Sequence, residues 1–121
     1  MYATIIWAVC FISVIIIPIM SIVLGKIFRD NPPKEINRWK GYRTSRSMAS
    51  QEAWDFANYT MGKRMFILGL WMLGITIVVH CLFIKASMVA ISIETVSLVI
   101  AQSVASILIT VSIEKLLKER F

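Results

Sequence analysis

Residues 65–84 read MFILGLWMLGITIVVHCLFI, a run of 20 without a formal charge. About 20 apolar residues in a helix cross a hydrocarbon core of roughly 30 Å, so this run alone predicts a membrane span. Two further runs flank it. Residues 2–24 form 23 uncharged positions, and 88–113 form 26 interrupted only by Glu94. Backbone donors and acceptors have no water to bond with inside lipid, so each run must satisfy itself as a helix. Three transmembrane helices at about 2–24, 65–84 and 88–113 follow, with residues 25–64 as the long connection. At 121 residues, 58% hydrophobic and 17% charged, the chain is too apolar for an ordinary soluble domain. The expected class is an all-α integral membrane protein of one domain, residues 1–121.

The first run differs from a secretory signal, because no Lys or Arg precedes it, it is longer than an h-region, and no small-residue cleavage site follows. Charge placement then orients the bundle. The connection holds Lys26, Arg29, Lys34, Arg38, Lys40, Arg43, Arg46, Lys63 and Arg64 against Asp30, Glu35, Glu52 and Asp55. The tail adds Lys115, Lys118 and Arg120, while the short second connection has Lys85 alone. The positive-inside rule puts the long loop and the C-terminus in the cytoplasm, with the N-terminus and the Lys85 turn outside. The same reading accounts for the formal net charge of +6 as topology and attraction to anionic headgroups, not as a nucleic-acid surface.

A loop of that length is more than two antiparallel helices need, so it should carry structure or a task. Asn31-Pro32-Pro33 ends the first helix, since proline removes a donor and pushes the preceding residue out of the α region. A short interfacial turn is expected over residues 34–40, with Ile36 and Trp39 leaning into the acyl boundary. Gly41 permits a tight conformation among the basic residues. Ser50 reads as an N-cap, followed by Glu52 and Asp55 near the positive end of a helix dipole. Trp54, Ala57 and Met61 then recur at helical spacing, which predicts a short amphipathic helix lying on the membrane or leading into the second span.

The string from Asn37 through Gly41, Tyr42, Arg43 and Thr44, then the serine-rich gap, Trp54, Ala57, Asn58 and Gly62, resembles the signature of the SdpI family of small bacterial membrane proteins. The resemblance covers about two thirds of the chain and looks like the family domain alone. It implies a multi-pass protein of the bacterial cytoplasmic membrane that protects its host against a membrane-active antimicrobial peptide. It also implies signalling, by capture of a cytoplasmic regulator.

The residues carry their own reading beside that. Arg43, next to two hydroxyls, offers a planar donor fork for a phosphate, carboxylate or carbonyl cluster, or else binds headgroups or a helix end. Asn37 and Asn58 are suited to bridging backbone groups and holding the loop in shape. Trp39 and Trp54 read as interfacial anchors. Cys10 and Cys81 fall in spans and read as buried small hydrophobes, with no spacing for a metal or redox pair.

Ionisable groups within spans are costly and need a partner or a function. An antiparallel hairpin turning at residues 85–87 brings His80 and Glu94 to similar depth, where they could pair. Two readings stand for them: packing residues on a face with Ala90, Ser97, Ala101 and Ala105, or an outward-facing ion, proton or peptide site. The lone histidine and the lack of nucleophile elbows or phosphate loops give catalysis weak support and lead to no expected metal or cofactor. Two alternatives to immunity are a small transporter or channel, which with three spans would need a homo-oligomer, and a scaffold that captures a soluble protein through the basic loop.

Overall fold

The computed structural model describes residues 2–121. Among these, three helices account for most of the chain: α1 (Tyr2–Asp30), α2 (Gln51–Leu82) and α3 (Met88–Arg120). All three are long and apolar enough to cross a membrane. They alternate in direction, so the 31–50 loop and the end of α3 lie at one end of the bundle and the 83–87 turn at the other.

The polarity of the bundle is that of a membrane protein. On α1, Val14, Pro18, Ser21 and Gly25 are buried at helical spacing, while Ile12, Ile16 and Val23 face outward. The interior holds Ser21, Thr76, His80, Glu94 and Gln102, and the outside is isoleucine, valine and leucine. An exterior of that kind is solvated by lipid, where a buried polar group must find a partner within the protein. The chain is a multi-pass membrane protein.

Local signals set the helix ends. After Asp30 the Pro pair stops α1, and the Asn31 N–H closes onto the Ile27 carbonyl at 2.7 Å. Ser50 caps α2 in extended conformation, its hydroxyl accepting from the Ala53 N–H at 3.1 Å. Ser87 does the same for α3 with Ala90. The helices continue past the uncharged runs because a propagating helix adds one hydrogen bond per residue, whether or not the side chain is charged. Thus the stretch after Ser50 is the first part of α2, continuous with the second span and not a separate short helix.

Glycines decide which helices touch. A Cβ on Gly62 would strike the backbone of Phe28 at 2.6 Å and of Arg29 closer still. One on Gly69 would meet the Ile22 side chain at 2.7 Å and the Pro18 carbonyl at 3.0 Å. With Gly25 likewise against the Phe66 backbone, α1 and α2 are in direct main-chain contact. Ser21 reinforces the seam by donating to the Met65 carbonyl at 2.9 Å. Among the described residues no glycine brings α2 and α3 that close, and clefts open between them.

Candidate functional site

The loop folds into a closed unit around Asn58. This side chain is 0% exposed: its Oδ1 accepts the Tyr42 N–H at 2.7 Å, and its Nδ2 donates to the Trp54 carbonyl at 2.9 Å. Trp54, one helical turn earlier, is also fully buried, and its indole N–H donates to the Pro33 carbonyl at 2.7 Å. Gly41 sits on top of both. Its φ of 111° is in the region that side chains avoid, and a Cβ there would lie 2.6 Å from Asn58 Oδ1. Gly41, Trp54 and Asn58 are therefore one packing unit.

From this unit the loop reaches across to α3. The Tyr42 hydroxyl donates to Glu114 Oε1 at 2.7 Å, and Arg46 Nε lies 3.7 Å from the other carboxylate oxygen. The ring packs in a small core with Ala53, Ala57, Ile113 and Leu117. Thr44 and Ser47 close the following turn: the buried Ser47 hydroxyl accepts the Thr44 N–H and donates to the Tyr42 carbonyl, both at 2.8 Å. Burial, and then the hydrogen bond to Glu114, raise the Tyr42 phenol above its ordinary value of 10.0. An acid whose folded value is raised loses its contribution as pH climbs past the unfolded value. The loop should therefore loosen above about pH 10 in the wild type, and Tyr42→Phe should abolish that step. Thermal unfolding against pH, compared between the two, reads it.

Other motif residues stand apart. Asn37 is half-buried and shapes its own turn, its Oδ1 accepting the Trp39 and Lys40 N–H groups at 2.9 and 2.7 Å. The Arg43 side chain is exposed, and among the described residues it meets no hydrogen-bond or ion-pair partner. The fork and its two neighbouring hydroxyls thus do not converge, because Tyr42 turns inward to Glu114 and Thr44 to Ser47. Gly62 lies outside the loop unit, at the α1–α2 contact. The expectation for Trp54 is corrected: it is core, not an interfacial anchor, because the Pro33 carbonyl takes its indole N–H and Gly41 lies against its ring. Trp39 differs, at 90% exposed. Cys81 is exposed on the bundle exterior and Cys10 half-buried, so Cys81 is not the interior thiol expected, and both are free.

At the opposite end His80 ties the three helices together. Its Nδ1 lies 2.9 Å from Glu94 Oε2 on α3, and its Nε2 lies 3.0 Å from the Trp7 carbonyl on α1. The Trp7 indole N–H returns the favour, donating to the His80 carbonyl at 3.0 Å. Because a carbonyl only accepts, Nε2 must carry a hydrogen, and a single proton is left between Nδ1 and the carboxylate. Whichever of the two holds it, the pair has no net charge. Trp7 and Phe11 cover the imidazole, with ring centroids at 4.8 and 5.6 Å.

Midway between these ends lies a contact that apolar patterning does not reveal. Pro18 has no N–H, so the Val14 carbonyl four residues earlier loses its helical partner. Gln102 supplies one from α3: its Nε2 donates to Val14 O at 2.9 Å and to Thr76 Oγ1 at 2.8 Å. The signal was available as a proline within one uncharged run and a lone glutamine in another. Among the described residues, no group of His, Cys, Asp or Glu is placed to hold a metal ion.

Comparison with known proteins gives a consistent assignment. The model of the SdpI/YfhL protein family matches residues 34–113, from the loop through most of α3. Over 55 residues the chain is 40% identical to the uncharacterized protein YfhL of Bacillus subtilis (strain 168), covering 46% of this chain and 50% of that protein. The chain thus matches about half the length of that curated relative. No solved structure matches.

Proposed function

The chain belongs to the SdpI/YfhL protein family, and from that premise we propose that it is a membrane immunity factor, protecting its host from a membrane-active antimicrobial peptide. The observation that carries the reading is the loop unit. Gly41, Tyr42, Trp54 and Asn58 fall within the matched segment and spend their polar groups on one another and on α3. They build a platform, and the exposed Arg43 and Trp39 are what it presents.

The orientation proposed is loop and C-terminus in the cytoplasm, from the excess of Lys and Arg there, and the membrane is the bacterial cytoplasmic membrane. A cytoplasmic regulator is then the partner for the loop surface, while the peptide arrives at the other end, near Glu94 and His80. The transporter alternative draws no comparable support, because Glu94 is engaged by His80.

Deleting the gene should sensitise the host to at least one membrane-active peptide, by about tenfold or more in inhibitory concentration if protection rests on about 1.4 kcal/mol or more of binding. Restoring the wild-type gene should reverse this. Unchanged sensitivity across a panel that includes the nearest producer's own peptide would overturn the proposal.

A further inference from the structure

The cleft between α2 and α3 opens at its loop end on an arginine. Arg64 donates from Nη1 to the Ser112 hydroxyl at 2.6 Å, and that is its one hydrogen bond among the described residues. No carboxylate comes within ion-pair distance of it there, and Glu114, the acid on the facing helix, is already held by Tyr42 and Arg46. A guanidinium has five N–H donors in a planar fork, so most of this one's capacity is unspent. The cleft beside it measures about 400 Å³, within the roughly 300–1,000 Å³ of small-molecule sites. Its walls past Arg64 and Ser112 are apolar: Ile67, Leu68, Trp71 and Leu108. Trp71, seven residues on, is about 10 Å deeper at 1.5 Å per residue.

The geometry points to a binding site for one anionic phospholipid, its phosphate on Arg64 and an acyl chain along the α2–α3 cleft. Two features select this occupant. The unneutralised cation at the mouth calls for an anion, and the wall leading away from it into the membrane calls for a hydrocarbon tail. An amphiphile alone meets both, at the depth where headgroup gives way to chain. The fork suits a phosphate bidentately, while the Ser112 hydroxyl, which donates to the Ile109 carbonyl at 2.7 Å, holds the guanidinium in place. Lipid held there would fill the seam that α2 and α3 leave open. This goes beyond the immunity reading and does not depend on it.

The test is reconstitution of the full chain into vesicles of phosphatidylglycerol and phosphatidylcholine, followed by gentle detergent extraction and native mass spectrometry. One phosphatidylglycerol retained per wild-type chain is expected. Arg64→Gln should lower the retained fraction about tenfold, and Arg64→Lys should fall between, as a point charge replaces the fork. Lys63→Gln removes the same charge from the exposed neighbouring position and should change little. Leu108→Trp, which fills the cleft and leaves Arg64 intact, should also lower retention. Circular dichroism checks the fold of each variant, and if Arg64→Gln does not fold, the Lys and Trp variants decide. Retention equal to wild type in the decisive variants would overturn the site. So would equal loss in Lys63→Gln, which would mean diffuse attraction, or displacement of the lipid by millimolar inorganic phosphate, which would mean a headgroup-only site.

Discussion

Glu94→Leu should destabilise the bundle by about 3–5 kcal/mol if the proton resides on His80, the cost of removing one partner from a buried ionic pair. If the proton resides on the carboxyl, the loss is that of leaving a ring nitrogen bare, about 1–3 kcal/mol. Glu94 is 6% exposed and His80 0%, so water cannot replace the missing partner cheaply. Glu94→Gln should behave differently. Its amide N–H can donate to Nδ1 while Nε2 continues to donate to Trp7, so the cost should be about 1 kcal/mol or less. Unfolding of the purified protein in mixed micelles, followed by helicity, compares the three forms. Equal stability of the Leu and Gln variants would show that the bond between the helices contributes nothing.

The second large effect is conditional. Gln102→Leu should cost about 1–3 kcal/mol, because the Val14 carbonyl is left buried with neither a helical nor a side-chain donor. That penalty depends on Pro18. In a Pro18→Ala background, the new N–H at residue 18 can bond to Val14 O directly, and Gln102→Leu should become milder. A double-mutant cycle isolates the difference, since changes in packing at each single site cancel. We expect a coupling of about 1 kcal/mol, within the range for residues that share a partner. Additive penalties would mean that Gln102 is held only for its bond to Thr76.

These cases show what the sequence could reveal. Spans follow from uncharged length, because lipid leaves the backbone no other choice, and Ser50 is legible as a cap because its chemistry is local. His80 and Glu94 could be placed at one depth because the turn between them is short. Trp54 was misread because an aromatic beside charged residues resembles an interfacial anchor. Only the fold shows Pro33 and Gly41 closing over it. Arg43 and Tyr42 are adjacent in sequence but face opposite ways, and no periodicity applies in an irregular loop to say so. The glycines at positions 25, 62 and 69 were individually visible, yet their joint role depends on the register of two helices that far-apart residues define.

The bond from Tyr42 to Glu114 spans 72 positions in the chain, and the packing partners Ile113 and Leu117 lie equally far along. During synthesis, then, the loop is complete long before the surface it needs has been made. Asn58 and Trp54 can gather it into shape early, but it cannot dock until α3 has threaded back through the bilayer. Docking thus follows the insertion of α3. An undocked loop, with Tyr42 in water, marks a chain whose third helix has not yet gone in.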